Sequence, residues 1–292
     1  MARPYPSPAV RGDDGVMPSA VSTQSPSPAS EPLPAAAGGI RQAAASCPPD
    51  RHGNAIDQAA ALSDLDPLEP VQRLAWALER FGPGLALTTS FGIQSAVLLH
   101  MLSELAGGSS GVPVIWVDTG YLPPETYHYA EQLQARLGFD LRVAQATLSP
   151  ARMEALHGRL WESGRVEDLE LYNRLRKVEP LDRAFADLGV TCWASGVRGR
   201  QTDHRRTMAV LEAVRGRWSL RPLLAWSRRD VFYYMDRHAL PQHPLFEQGY
   251  STVGDWHTSA PDDGTASGRA TRFGGLKQEC GIHLPGLMGE GI

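Results

Sequence analysis

Beyond residue 70 the apolar positions first follow the period of a helix and then gather into short runs. Residues 70–81 place their apolar side chains on one helical face, and Gly82-Pro83-Gly84 ends that helix. Apolar runs at residues 85–89, 112–117 and 140–144 predict buried strands, separated by predicted helices over 96–102 and 124–137. This order predicts an α/β fold, a parallel sheet with helices on both faces.

The segments that follow the first two predicted strands are the expected ligand-binding edge. Ligands of such sheets bind at the carboxyl ends of the strands, where residues 90–95 and 118–121 fall. A strand that leads through Ser-x-Gly-x-x-Ser into a helix presents unpaired N–H groups and the positive end of the helix dipole to an anion. The candidate phosphate-binding residues are Ser90, Phe91, Gly92, Ile93, Gln94 and Ser95. An ordinary helix cap is the alternative interpretation of this turn.

Four arginines follow another apolar run, residues 192–197, which predicts a further strand. They are Arg198, Arg200, Arg205 and Arg206. Planar guanidinium groups suit phosphate and sulfate oxygens, whereas a single arginine is more often a solvated surface charge. The cluster therefore predicts an anion site beside the serine turn.

Composition divides the chain and narrows the function classes. Residues 1–57 are rich in Ala, Pro, Ser and Gly with almost no aromatic residues, which predicts a disordered tail. A net charge of -4 gives no global reason to expect a nucleic-acid partner, and no apolar run is long enough for a membrane span. The three scattered cysteines, Cys47, Cys192 and Cys280, fit a reducing cytoplasm and offer no metal site. Cys192, in an apolar run, is expected to be an inert core residue.

Cys280 lies in the Gly- and charge-rich segment Lys277-Gln278-Glu279-Cys280-Gly281-Ile282-His283. It is either an idle thiol on a mobile tail or a nucleophile carried to a bound substrate. Lys277 and His283 supply positive charge that favours the thiolate, whereas a carboxylate at Glu279 opposes ionisation. The local residues leave both interpretations open.

Four segments, in order along the chain, resemble the signatures of 3'-phosphoadenylylsulfate reductases. They are residues 89–97, residues 117–127, Lys177-Val178-Glu179-Pro180-Leu181 and Glu279-Cys280-Gly281-Ile282-His283, and the resemblance runs from about residue 68 to 283. It implies an adenine nucleotide α-hydrolase-like fold with a flexible C-terminal arm, and reduction of phosphoadenylyl sulfate to sulfite and adenosine 3',5'-bisphosphate. The implied electron donor is thioredoxin, or glutaredoxin, and a homodimer is expected from the family.

The resemblance also implies roles for individual residues. Cys280 is the expected nucleophile, forming an S-sulfonate that thioredoxin resolves. Lys177, which the helical pattern places near a helix end, is expected in the active site rather than on the surface beside Glu179. Asp118 is expected either to orient the nucleotide or to cap the turn after its strand. The family's Gly-Leu-Arg-Arg-x-Gln-Ser segment here has Gly199 at the second arginine, for which Arg200 compensates.

Relatives that use adenylyl sulfate carry cysteine pairs that hold an iron–sulfur cluster. The corresponding segments here, residues 171–176 and 253–258, contain no cysteine, so no cluster and no other bound cofactor is expected. This favours the 3'-phosphorylated substrate and leaves a cluster-free adenylyl-sulfate reductase as an alternative. An ATP pyrophosphatase and a non-catalytic nucleotide sensor are further alternatives. The expected organisation is a tail (1–57), a nucleotide-binding domain (58–258) and a mobile segment with Cys280 (259–292).

Overall fold

One sheet organises the part of the chain that the computed structural model describes, which is residues 47–105, 111–264, 268–279 and 281–283. Its six strands are β1 (Leu85–Thr89), β2 (Val114–Asp118), β3 (Leu141–Gln145), β4 (Cys192–Ser195), β5 (Leu211–Val214) and β6 (Arg217–Leu220). Their order is β3-β2-β1-β4-β6-β5, and all neighbours pair in parallel except β5 and β6. The predicted α/β fold is confirmed, with an antiparallel strand at one edge.

Helices connect and cover these strands. They are α1 (Gln58–Leu65), α2 (Pro70–Phe81), α3 (Ala96–Leu105), α4 (Pro124–Leu137), α5 (Pro150–His157), α6 (Val166–Asn173), α7 (Glu179–Asp187), α8 (Asp203–Arg206) and α9 (Arg228–Arg237). Short 3-10 turns occupy Gly82–Gly84, Gly199–Gln201, Pro244–Phe246, Trp256–Thr258 and Gly268–Gly275, and a π-helical turn at Arg174–Val178 joins α6 to α7. None of the described helices is long and apolar enough to cross a membrane.

Apolar side chains on both faces explain why the central strands are apolar throughout. Leu85 and Leu87 of β1 pack in one core cluster, while Ala86, between them, packs in a second cluster on the opposite face. The first cluster includes residues of α2, α3 and α4, and the second includes Leu181 and Phe185 of α7. Burying a leucine side chain stabilises the fold by roughly 1.5–3 kcal/mol, so such strands need cover on both faces.

The β5–β6 hairpin is absent from the sequence prediction. Arg215 and Gly216 form its turn with φ values of 49° and 71°, as in the two-residue turns that match strand twist. The pattern was missed because each strand has only four residues and carries charged side chains.

The two ends of the folded region differ from the predicted boundaries. The described chain begins at Cys47, which packs against the core, and Trp218 Nε1 donates a 2.9 Å hydrogen bond to the Pro48 carbonyl. Folding therefore begins earlier than residue 58, and residues 1–46 of the predicted tail lie outside the described residues. In the C-terminal segment, Phe273 and Glu279 are buried. The mobility of this segment stays a prediction, and its residues 265–267, 280 and 284–292 lie outside the described residues.

Candidate active site

A crevice opens at the carboxyl ends of β1 and β4. The chain passes from β1 to β2 on one side of the sheet, whereas β4 lies on the other side of β1, so this is the topological switch point. Residues 90–95 and 195–198 form one side of the crevice, here named the strand wall. The segments 251–258, 269–279 and 281–283 are named the loop wall, and of these the residues that line the crevice are 251–255, Arg269, Arg272, Ile282 and His283.

The serine turn reaches the crevice with four of its six predicted residues, Ser90, Ile93, Gln94 and Ser95. Phe91 points away and is completely buried, with its ring 4.9 Å from that of Trp116. Its φ of 45° is unusual for a bulky residue, and aromatic packing holds it there. The side chain of Phe91 therefore belongs to the core, and a contact between this residue and a ligand stays a prediction. Gly92 is buried beside Ser90 and the Val253 carbonyl, and it does not itself line the crevice.

Asp118 caps the turn after β2. Its Oδ1 accepts hydrogen bonds from Gly120 N (2.8 Å) and Tyr127 Oη (2.7 Å), and its Oδ2 accepts from Gln145 Nε2 (2.8 Å). It does not line the crevice, so the capping alternative describes its place better than the nucleotide-orienting one. The next residue, Thr119, lines the crevice instead.

Lys177 enters the crevice from the π-helical turn. The prediction that it lies near a helix end is wrong, since helical backbone runs on both sides of it from Val166 to Asp187. π-helical turns are frequent at functional sites because they re-aim side chains. Here Arg176 Nε donates to the Thr119 carbonyl (2.8 Å), which ties the turn to the end of β2. Lys177 pairs with Asp255 rather than with Glu179.

Asp255 is the buried anion of the site. It is 0 % exposed, its Oδ2 lies 2.5 Å from Lys177 Nζ, and Thr119 Oγ1 donates to its Oδ1 at 2.5 Å. Burial by itself raises the pKa of Asp255, but Lys177, Thr119 and Arg272 together hold that pKa well below its usual range. Lys177 Nζ also lies over the rings of Tyr172 and Phe273, at 5.4 and 5.5 Å. Asp255 therefore stays ionised although it is buried.

Two arginines near the end of β4 are buried and line the crevice, Arg198 and Arg205. Arg198 is 5 % exposed, and its Nη1 has no hydrogen-bond partner among the described residues. Burial, followed by repulsion from Arg228 and Arg205, lowers the pKa of Arg198 to about 10, so the group is still charged at neutral pH. A buried guanidinium with an unused donor is suited to bind an anion.

Three other cations of the sequence prediction lie away from the crevice. Arg200 and Arg206 are exposed, and Arg206 Nη1 pairs with Asp203 at 2.8 Å. Lys277 Nζ pairs with Glu170 Oε1 at 2.9 Å, outside the crevice lining. Arg200 therefore does not take the place of the missing arginine at Gly199, because its side chain faces solvent.

Cys280 lies outside the described residues, but its neighbours are described. Glu279 is buried and paired with Arg205, and the ring of His283 stacks on Trp193 with centroids 5.1 Å apart. Burial, then the neighbouring arginines 205, 221, 269 and 215, lower the pKa of His283 well below its usual value. The expectation that His283 supplies positive charge is therefore wrong, because its imidazole is neutral at physiological pH.

Sequence reasoning missed several residues of the site, notably Thr119, Asp255, Arg269 and Arg272. Arg272 packs so closely over Gly254 that a Cβ there would lie 2.2 Å from Nη1, which explains the glycine. The available signal was a set of charged residues in loop segments without helical or strand periodicity. Only the folded chain brings them to one place.

Other sequence predictions concern residues away from the reaction chemistry. Cys192 is completely buried, and burial raises its pKa well above the usual value, as expected of a core thiol. His243 accepts a hydrogen bond from Leu245 N and contacts Thr126, and His257 stacks on Trp161. Across the described ranges, no group of three or more His, Cys, Asp or Glu side chains is placed to hold a metal ion.

Comparison with known proteins agrees with this arrangement. The family model of the phosphoadenosine phosphosulfate reductase domain matches residues 84–261. A "Phosphoadenosine 5'-phosphosulfate reductase" from Synechococcus sp. is 56 % identical over 216 residues, which cover 73 % of this chain and 91 % of the relative.

Solved structures agree as well. A phosphate complex of the phosphoadenylyl-sulfate reductase from Candida auris is similar, with a TM-score of 0.59, 30 % identity, and coverage of 70 % of this chain and 98 % of that one. The FMN adenylyltransferase of Candida glabrata with FMN and an ATP analogue is 13 % identical with a TM-score of 0.52, covering 72 % of this chain and 70 % of that one. This second likeness concerns the fold alone, which is the expected adenine nucleotide α-hydrolase-like fold. The chain belongs to the phosphoadenosine phosphosulfate reductase family.

Proposed function

We propose that this chain reduces 3'-phosphoadenylyl sulfate to sulfite and adenosine 3',5'-bisphosphate, with Cys280 as nucleophile and reduced thioredoxin as electron donor. The observation that carries this proposal is the cationic crevice at the switch point, where the serine turn and the unpaired Arg198 donor meet the loop that leads to residue 280. The similar Candida auris reductase is a phosphate complex, which fits an anion in such a crevice.

The nucleotide phosphates are proposed to bind the strand wall. Ser90, Gln94 and Ser95 offer polar groups at the start of α3, and the positive end of that helix favours an anion. Arg198 supplies a charge-assisted hydrogen bond from its Nη1. Because burial has already removed the water from this guanidinium, binding a phosphate or sulfate oxygen satisfies a donor for which the described part of the chain offers no partner.

The sulfonate end is proposed to lie between the strand wall and the cations of the loop wall. Lys177 and Arg272 line this part of the crevice, and Asp255 fixes Lys177 in place. Positive charge there stabilises the negative charge that develops on the sulfonate and bridging oxygens during transfer. Arg269 also lines the crevice, and its Nε donates a 2.8 Å hydrogen bond to the Gln278 carbonyl.

The reaction proceeds in two transfers. The Cys280 thiolate attacks the sulfonate sulfur, the bond from sulfur to the bridging phosphate oxygen breaks, and adenosine 3',5'-bisphosphate leaves with that electron pair. A thioredoxin thiolate then attacks Cys280 Sγ, and sulfite leaves with the electrons of the S–S bond. The second thioredoxin thiol resolves the mixed disulfide, which regenerates the Cys280 thiolate and leaves oxidised thioredoxin. Two electrons thus pass from the dithiol to sulfur.

A cluster-dependent route has no cysteine ligands at the expected places. Residues 171–176 and 253–258, where adenylyl-sulfate relatives carry cysteine pairs, contain none. In the structure these two segments lie together, with His257 Nε2 3.1 Å from Tyr172 Oη. Aromatic and charged side chains fill this space, which supports a cluster-free enzyme and the 3'-phosphorylated substrate.

The proposal is tested by intact-protein mass spectrometry after mixing the reduced enzyme with the nucleotide and no thioredoxin. A sulfonate adduct is expected on Cys280 in the wild type and on no residue in Cys280→Ser, whereas Cys192→Ser serves as the matched control and forms the adduct. Addition of reduced thioredoxin is expected to remove the adduct and release sulfite. An unmodified Cys280, or a Cys280→Ser variant that still releases sulfite, contradicts the proposal. Parallel reactions with adenylyl sulfate test the preference for the 3'-phosphate.

A further inference from the structure

Glu279, the residue before Cys280, is held by a dedicated set of donors. Its Oε1 accepts from Thr202 Oγ1 at 2.8 Å and Arg205 Nε at 2.9 Å, and its Oε2 accepts from Arg205 Nη2 at 2.9 Å. Arg269 Nη2 lies 3.7 Å from Oε2. The two parallel bonds from Arg205 form the fork geometry that is strongest between a guanidinium and a carboxylate. This contact joins residues 74 positions apart in the chain.

Arg205 uses all three guanidinium nitrogens within the protein. Nε and Nη2 bind Glu279, and Nη1 donates to Gln201 Oε1. Arg198, in the same part of the crevice, leaves its Nη1 without a partner among the described residues. The two arginines that follow β4 therefore differ in use, since Arg198 has a donor available to a ligand, whereas Arg205 already binds a carboxylate of the C-terminal segment.

The chain is also fixed on the other side of residue 280. His283 stacks on Trp193, and Ile282 packs against the core cluster that contains Trp193. Gly281 has a φ of 86° and lies against Val178, where a Cβ would be 3.5 Å from Cγ2. The backbone on both sides of Cys280 is therefore seated on the nucleotide-binding domain.

We infer that Arg205 and Thr202 form a docking receptor for Glu279, and that these three are positioning residues which hold the C-terminal segment so that Cys280 faces the bound sulfonate. This inference rests on the proposed function, because it assigns the docking a role in the first sulfur transfer. Burial favours it, since Arg205 and Glu279 are 5 % and 8 % exposed. A buried, bidentate pair is rigid enough to orient a neighbouring residue.

Two other roles for this pair predict different kinetics. If Glu279 acted only through its charge, its removal would favour the Cys280 thiolate and speed adduct formation, because a nearby carboxylate opposes ionisation. If Arg205 were instead a substrate contact that Glu279 merely fills in the free enzyme, removing Glu279 would tighten nucleotide binding. A positioning role predicts slower adduct formation with unchanged nucleotide affinity.

The test measures single-turnover adduct formation on Cys280 and, separately, the Kd of adenosine 3',5'-bisphosphate by calorimetry. Glu279→Gln is expected to form the adduct about 100-fold more slowly, the effect typical of a misplaced reacting group, with a Kd within about twofold of wild type. Arg206→Met, on the same helix but exposed and outside the crevice, is the matched control and is expected to behave as wild type.

Exchanging the two charges gives a second test, because a folding defect cannot restore the rate of adduct formation. The double variant Glu279→Arg with Arg205→Glu restores an ion pair, and its adduct rate is expected to exceed that of Glu279→Gln by about tenfold. An unchanged or faster adduct rate in Glu279→Gln, a Kd that changes in proportion to the rate, or a double variant that unfolds at the wild-type urea concentration and is still slower than Glu279→Gln overturns the inference. A wild type that forms no adduct overturns the proposed function itself, so the two failures are distinguishable.

Discussion

The two walls of the crevice differ in how their polar groups are satisfied. In the strand wall, Arg198 leaves a buried donor without a partner among the described residues, and the serine turn points polar groups at open space. In the loop wall, the anions Asp255 and Glu279 are already paired, with Lys177 and Arg205. The strand wall therefore has groups available to bind an external anion. The anions of the loop wall instead form ion pairs that hold this wall in place.

Because of this difference, mutations in the two walls are expected to affect different properties, nucleotide binding in one and stability in the other. Removing a strand-wall cation is expected to weaken the binding of the nucleotide and to leave the fold intact. Removing a loop-wall anion leaves a buried cation without its partner, and this lowers the free energy of unfolding by much more than the pair itself contributes. The four predictions below compare these two consequences, beginning with the largest expected effect.

Asp255→Asn is expected to lower the free energy of unfolding by about 3–5 kcal/mol and to reduce sulfite release by about 100-fold, because Lys177 then carries an uncompensated buried charge and loses its orientation. Urea unfolding and a steady-state sulfite assay measure the two effects. Asp203→Asn, which changes an exposed carboxylate paired with Arg206, is the control and is expected to change stability by less than about 0.5 kcal/mol. Equal stability of the two variants contradicts the assembly role of the loop wall.

Arg198→Met is expected to show the opposite combination. The Kd of adenosine 3',5'-bisphosphate rises by about 10–100-fold, as for a lost charge-assisted hydrogen bond. The free energy of unfolding stays constant or increases, since a buried cation that has no ion-pair partner among the described residues is replaced by an apolar side chain of similar length. Calorimetry and urea unfolding measure the two quantities, with the exposed Arg200→Met as control. A stability loss as large as that of Asp255→Asn shows that the walls do not differ.

The same contrast decides how much of the site the sequence could predict. The serine turn follows β1 directly and the arginines follow β4 directly, so strand prediction alone places Ser90, Ser95 and Arg198 at the crevice. The direction in which a side chain points is harder to predict than its place along the chain. Phe91 turns into the core through a left-handed backbone, and Asp118 accepts three local hydrogen bonds, neither of which a strand pattern contains.

The loop wall could not be predicted in this way because its contacts join distant segments without a repeating pattern. Asp255 meets Lys177 across 78 positions, calculated as 255 − 177, and only the re-aimed π-helical turn makes the contact. Family resemblance identified Lys177 and the segment around Cys280. It did not identify Asp255 as the partner of Lys177, since a carboxylate in an irregular loop has no distinguishing local signal.

Acid is expected to loosen the loop wall before the strand wall. Burial is the main cause that lowers the pKa of His257, to about 4, and that lowers the pKa of His283 well below its usual range. In the unfolded chain these histidines titrate near 6.5, so the unfolded state binds more protons between about pH 6.5 and 4. Their stabilisation is present above pH 6.5 and is lost as the pH falls through this window, by at most about 1 kcal/mol for the partly buried His257.

Amide hydrogen exchange at pH 7.5 and 5.5, corrected for intrinsic rates, measures this loosening. Peptides from residues 251–279 are expected to lose protection at pH 5.5, whereas those from residues 85–95, which contain no histidine, keep theirs. His257→Gln, which cannot titrate, is expected to reduce the difference between the two pH values. Equal loss of protection in both regions contradicts the prediction.

The smallest effect is expected from Lys277→Met, although this residue lies in the loop wall. Lys177 and Lys277 are the only lysines in the sequence, and each pairs with a carboxylate. The partner of Lys177 is buried, with a side chain 1 % exposed, whereas Glu170, the partner of Lys277, has a side chain 43 % exposed. Solvent screens the second pair, so its loss is expected to cost less than about 1 kcal/mol.

Sulfite release by Lys277→Met is expected within about twofold of wild type, because the charge of Lys277 is already balanced by Glu170, a carboxylate that solvent screens. Urea unfolding and the sulfite assay, applied to Lys277→Met and to Lys177→Met, compare the contributions of the two lysines to stability and to activity. The sequence analysis predicts that the charge of Lys277 stabilises the Cys280 thiolate. If it does, Lys277→Met lowers the rate of adduct formation and raises the pKa of Cys280. If both occur, proximity to the cysteine outweighs pairing and exposure, and the loop wall contributes charge to the reaction as well as structure.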